Sequence, residues 1–184
     1  MRKLAFLSGL ILITAMAASA QEKPSREVFL GYSYIRANPS TSGAPNFNLN
    51  GGTGSAAIYP WRWLGFVGDF GGYHVGDIGG TNVNGNVFTY LFGPRVYLPG
   101  THRLRPFGEL LLGGAHTTGT SLGAGSRNAF AMGVGGGLDV HATRHLGWRV
   151  AEIDYLPTWF PEAAGGNRLA QHNLRISTGI RFRF

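Results

Sequence analysis

Asn173-Leu174-Arg175-Ile176-Ser177-Thr178-Gly179-Ile180-Arg181-Phe182-Arg183-Phe184 runs to the end of the sequence with an unbroken period of two. Leu174, Ile176, Thr178, Ile180, Phe182 and Phe184 fall on one side, and Asn173, Arg175, Ser177, Gly179, Arg181 and Arg183 on the other. A helix brings residues three and four apart together and would mix these two sets. A strand sends successive side chains to opposite faces, which leaves one apolar face and one face carrying three arginines.

The same alternation recurs upstream. Val28, Leu30, Tyr32 and Tyr34 share one phase, as do Phe88, Tyr90, Phe92, Val96 and Leu98, and so do Phe130, Met132, Val134, Leu138 and Val140 against Ala129, Ala131, Gly133, Gly135, Gly137 and Asp139. Weaker examples lie at 52–59, at 64–73 with Leu64, Phe66 and Phe70 against Val67, Asp69 and Gly71, and at 106–116 with Leu110 and Leu112 against Glu109. The segment 146–155 begins in phase, with Trp148 and Val150 opposite Arg149, and loses it through Ala151, Glu152, Ile153 and Asp154; a β-bulge near Glu152 restores it.

These eight strands of about ten residues each have the length of a tilted membrane-crossing strand. The connections sort by length. Those at 60–63, 99–104 and 142–145 are short, whereas those at 37–50, 75–86, 117–127 and 157–168 are long and rich in Gly, Asn, Ser, Thr and Pro. Short turns at one end and long loops at the other are the pattern of bacterial outer-membrane barrels, and an even strand number puts both termini on the periplasmic side.

Composition fits an exported chain. The 184 residues include 30 Gly and no Cys, with 12% aromatic and only 14% charged residues, against about 25% charge in soluble domains. Arg2 and Lys3, the apolar run 4–17 and the small residues Ala18, Ser19 and Ala20 have the order of a secretory signal peptide, so residues 1–20 are expected to be cleaved and 21–184 to form a single barrel domain. Of 16 basic residues, loss of Arg2 and Lys3 leaves 14 against 9 acidic, a net charge of +5 with no contiguous basic run, and nucleic acid is not an expected partner.

Alternation alone does not say which face points outward, but charge placement does. A soluble barrel needs Lys and Glu across its polar face. Here that face is mostly Gly, Ala, Ser and Thr, with scattered charges of both signs at Asp69, Arg95, Glu109, Asp139, Arg149, Arg175, Arg181 and Arg183. Small residues with pairable charges suit a narrow interior, where Glu109, Asp139 and Asp69 are expected to neutralise Arg95, Arg149 and Arg175. The apolar face carries no charge outside the stretch near Glu152, and an Arg at mid-membrane would cost about 2–4 kcal/mol. Trp61, Trp63, Trp148, Tyr32, Tyr34, Tyr97, Tyr155 and Phe184 lie toward strand ends, where aromatic girdles are expected.

On these segments the chain resembles the outer membrane protein A-like β-barrel family. The likeness is carried by Gly31-Tyr32-Ser33-Tyr34, Thr89-Tyr90-Leu91-Phe92-Gly93-Pro94-Arg95, Gly135-Gly136-Gly137-Leu138-Asp139-Val140, Asp154-Tyr155-Leu156-Pro157-Thr158 and the terminal strand. The resemblance implies residence in outer-membrane lipid and transient contact with the outer-membrane assembly machinery, which would read Ile180, Phe182 and Phe184 as its signal. It further implies a monomer with a structural or surface-interaction role, and no cell-wall tether, since the peptidoglycan-binding domain of some relatives does not follow Phe184.

Three other chemistries find little support in these residues. A lipid A deacylase-like enzyme needs a Ser, a His and an acid held together; His116 has Thr117 and Thr118 beside it but no serine, and Ser121 sits in a Gly-rich loop, so no enzyme activity is expected. His74, His102, His116, His141, His145 and His172 lack ligand spacing, although His141 and His145 flank a tight turn; no metal and no cofactor are expected. A small porin is disfavoured because an eight-stranded barrel is only wide enough for its own side chains.

Overall fold

The computed structural model describes residues 25–38, 46–75, 85–101, 103–119, 127–161 and 168–184. The expected signal peptide, half or more of each long connection, His102 and Ser121 lie outside them. The eight strands are β1 (Ser25–Asn38), β2 (Phe47–Tyr59), β3 (Leu64–Val75), β4 (Gly85–Tyr97), β5 (Leu104–Gly119), β6 (Arg127–His141), β7 (Leu146–Pro161) and β8 (Arg168–Arg183). Each pairs antiparallel with its neighbours in sequence, and β1 pairs with β8 to close the barrel. All eight strands expected from the sequence are present, but at 12 to 16 residues they are longer than expected, because each continues into what reads as loop in composition.

Closure removes every exposed sheet edge, so backbone groups are satisfied within the wall, as a barrel in lipid requires. At the seam the Arg26 amide donates to the Phe184 carbonyl at 3.1 Å and the Phe184 amide donates back at 2.9 Å. Gly31 faces Gly179 across the same seam, and a Cβ on Gly179 would run into the Leu30 carbonyl and the Gly31 backbone. Close approach is what selects glycine there.

The pairing is regular except in β7. Leu138 pairs with Ala151 but Asp139 with Arg149, and on the other side the register shifts between Arg149 and Glu152. Val150 and Ala151 thus form the expected bulge, which puts both Arg149 and Glu152 inside the barrel, each with 0% exposure. The charge that alternation would assign to the outer face near Glu152 is a change of phase.

The apolar interior residues Ile35, Ala37, Leu49, Tyr73, Ala115 and Leu156 occupy the loop-side halves of their strands. The buried charges occupy the middle and the turn-side halves. Tyr97 corrects an expectation: it is not part of an outer girdle but lies inside, 5% exposed, in phase between outward-facing Val96 and Leu98.

Candidate functional site

The outer wall is an apolar belt. Leu30, Phe66, Phe70, Phe92, Leu112, Trp148, Ile153 and Ile180, distributed over all strands but β2 and β6, are each roughly half exposed, and Ile58 and Phe130 supply those two. Between the ends of the wall no outward position in the described strands carries a charge. A contiguous apolar surface on this scale has no counterpart on soluble monomers.

The loop side of the belt is bounded by a polar collar, to which each hairpin contributes one outward-facing pair. The Tyr32 hydroxyl donates to Asn50 Oδ1 at 2.6 Å, His74 Nδ1 to Asn86 Oδ1 at 2.9 Å and His116 Nδ1 to Asn128 Oδ1 at 2.7 Å, and the Tyr155 hydroxyl bonds His172 Nδ1, the two rings being stacked. Below this collar, β8 exposes Leu174, Ile176, Ile180, Phe182 and Phe184. At roughly 3.3 Å per residue and a tilt of about 40°, the span from His172 to Phe184 rises about 30 Å, the thickness of a bilayer's hydrocarbon core.

The interior is an ion-pair network. Arg95 Nε donates to Glu109 Oε2 at 2.6 Å, Arg149 Nε to Asp139 Oδ1 at 2.8 Å and Arg175 NH1 to Asp69 Oδ1 at 2.5 Å, so each of these three acids lies against one of these three arginines. Arg181, also named from sequence, donates to Glu27 at 2.8 Å. Glu27, Glu152, Asp154 and Tyr97 complete the network and are not among the interior residues expected from the sequence. Glu152 accepts from Arg149 at 2.5 Å, Asp154 from Arg175 at 2.9 Å, and the Tyr97 hydroxyl donates to Asp139 at 2.7 Å. The Arg149 guanidinium also lies 4.4 Å from the Phe29 ring centre and 4.5 Å from that of Phe107.

Glu109, Glu152 and Asp154 bring one oxygen each within 4.8 Å of one another, the only such group of potential metal ligands among the described residues. Arg95, Arg149 and Arg175 already flank it, with Glu152 within 3.5 Å of all three. Each of the three carboxylates is paired with a guanidinium, Glu109 with Arg95, Glu152 with Arg149 and Asp154 with Arg175, so the donor set reads as an ion-pair cluster.

The remaining sequence candidates do not converge. His141 Nε2 accepts from Arg181 at 3.1 Å and His145 Nδ1 donates to the Arg183 carbonyl at 2.9 Å, so both imidazoles are engaged away from a shared ligand. Among the described residues no serine hydroxyl bonds a histidine; Ser33 is buried with Ser177 at 2.9 Å and Tyr73 at 3.2 Å. Ile180, Phe182 and Phe184 lie on the outer wall, 51%, 39% and 71% exposed.

No family model matches the chain, and no curated protein matches it in sequence. Solved structures do match. Neisserial surface protein A aligns over 89% of this chain and all of its own at 14% identity, with a TM-score of 0.68. Ail, the attachment invasion locus protein of Yersinia pestis, crystallised with the heparin analogue sucrose octasulfate, covers the same 89% and all of its own chain at 15% identity and a TM-score of 0.55. The N-terminal β-barrel domain of Pseudomonas aeruginosa OprF covers 88% of this chain and all of its own at 20% identity and a TM-score of 0.55. The chain has the closed, eight-stranded, all-antiparallel fold of the outer membrane protein A-like barrels.

Proposed function

We propose that this protein is a monomeric resident of the bacterial outer membrane, with its turns in the periplasm and its four long loops outside the cell. It acts as a structural and surface-interaction element, without catalysis and without a large pore. The observation that carries this reading is the charge-free apolar wall bounded on its loop side by the polar collar. Only a lipid surrounding leaves such a wall stable, and its height suits one bilayer.

The absence of a pore is argued from the interior. Arg95, Arg149, Arg175 and Glu152 each have 0% exposure, and an ion channel would have to wet the charges that line it. The surface role draws support from Ail, which shares the fold and was crystallised with a heparin analogue; loops on a rigid scaffold are where such recognition is built. The residues Ile180, Phe182 and Phe184 serve as the assembly signal in this reading, displayed on the strand that closes the barrel.

Gel mobility before and after boiling, on membranes fractionated from expressing cells, tests it. A heat-modifiable band in the outer-membrane fraction is expected, and a single unchanged band in the soluble fraction would overturn the reading. Lipid A from cells with and without the protein should have identical acyl-chain masses; a difference would replace the structural role with an enzymatic one.

A further inference from the structure

Acidic and basic residues are segregated along the barrel. Every carboxylate side chain among the described residues, Glu27, Asp69, Glu109, Asp139, Glu152 and Asp154, is buried in the interior. The short-turn end carries Arg26, Arg62, Arg103, Arg105, Arg144 and Arg183. Among the described residues no carboxylate side chain lies within ion-pair distance of Arg105, Arg144 or Arg183; the interior acids are taken up by Arg95, Arg149, Arg175 and Arg181.

This end is also concave. A cavity of about 670 Å³ opens in the mouth of the barrel, walled by Arg62, Thr101, Arg105, His141, Arg144 and Arg183. Parts of the wall are held in place. The Arg105 guanidinium lies 3.8 Å from the Tyr97 ring centre and donates to the Arg62 carbonyl at 2.9 Å, and Arg183 Nε donates to Ser25 Oγ at 3.2 Å. Each bond uses one nitrogen of a group that has five N–H donors, so further donors remain. His141 accepts from Arg181 through Nε2, which leaves its ring proton on Nδ1, a buried nitrogen with no acceptor among the described residues.

The guanidinium groups of Arg105, Arg144 and Arg183 around one cavity repel each other unless an anion joins them. A phosphate group fits this need better than a single carboxylate, because it carries up to two charges and offers several acceptor oxygens to forked donors. We propose that the periplasmic mouth of the barrel is a binding site for a phosphate-bearing anion, held chiefly by Arg105, Arg144 and Arg183. The phosphate can come from a soluble compound or from a lipid headgroup at the adjoining membrane surface.

The full-length protein in phosphatidylcholine nanodiscs, titrated with inorganic pyrophosphate by calorimetry, tests the soluble source; retention of phosphatidylglycerol over phosphatidylcholine, read by native mass spectrometry, tests the lipid source. Saturable pyrophosphate binding, or selective retention of phosphatidylglycerol, is expected. Arg144→Gln and Arg105→Gln should each weaken it about tenfold, the loss of one charged hydrogen-bonding partner. Arg36→Gln, at the loop end, should leave it unchanged. Heat-modifiable mobility of each variant checks that the barrel has closed, and Arg144 lies on an exposed turn where the change does not threaten folding. The pyrophosphate arm does not depend on outer-membrane residence. The proposal is overturned if neither arm shows selective binding, or if Arg144→Gln and Arg105→Gln bind as the unaltered protein does.

Discussion

Arg149 Nε donates to Asp139 Oδ1 at 2.8 Å across the one point where β6 and β7 slip in register, with Asp139 opposite Arg149 and Leu138 already opposite Ala151. The bulge exists to serve this network. In a regular strand Arg149 and Glu152, three apart, would face opposite sides of the wall; the bulge between them lets both point inward, and Arg149 NH1 donates to Glu152 at 2.5 Å.

Deleting Val150 should therefore be tolerated, because the bulge holds one residue more than regular alternation needs. The deletion leaves Arg149 and Glu152 two apart, an interval at which a regular strand turns both inward, so the variant is expected to keep its heat-modifiable band after refolding, and loss of that band would contradict the bulge. Val150→Ala keeps the register, and it should refold as the unaltered protein does.

Within the network, breaking a pair should cost more than removing it. Arg95→Met strands Glu109, which sits at 2.6 Å from the guanidinium, and is expected to destabilise by about 3–5 kcal/mol in urea unfolding from vesicles. Adding Glu109→Leu should recover part of that loss. A double variant that is less stable than Arg95→Met alone would contradict the pairing.

The belt predicts a depth profile for a single inserted charge. Phe70→Arg, near the middle of β3, should cost about 2–4 kcal/mol, whereas Asn50→Arg in the polar collar should cost about 1 kcal/mol or less. Equal costs at the two positions would argue against a bilayer around the wall.

Glycine at 135 is set by an interior neighbour. A Cβ there would strike the Asp154 carboxylate and the Ile153 carbonyl, and Asp154 is held by Arg175 at 2.9 Å. Gly135→Ala should lower the urea midpoint clearly, while Gly52→Ala, whose Cβ would meet only the Gly31 carbonyl at an ordinary 3.7 Å, should not.

Much of this was legible in the sequence because a barrel wall between an apolar outer face and a charged interior obeys period two without compromise. β8, β6 and β4 announce themselves, and the pairing of Arg95 with Glu109 is a direct cross-strand neighbour relationship. What was missed has local causes. Glu152 and Asp154 were hidden by the bulge, which shifts their phase relative to Arg149. Glu27 stands in the inward phase of β1 among apolar residues, with its partner Arg181 on β8, 154 residues away in sequence. Tyr97 was misplaced because position near a strand end was given weight over parity with Val96 and Leu98. The collar pairs and the basic mouth depend on register between strands, which alternation within one strand does not encode.

The central claim is that the alternating face of β8 lies against lipid. The sequence contains no Cys, so single cysteines placed from Asn173 to Phe184 can each carry a spin label in membranes without background. The account predicts that labels at positions 174, 176, 180 and 182 collide with oxygen but not with a water-soluble nickel complex, and that labels at 173, 175, 177 and 181 collide with neither. Labels at the first set that are open to the nickel complex would place water where the account places lipid, and would contradict it.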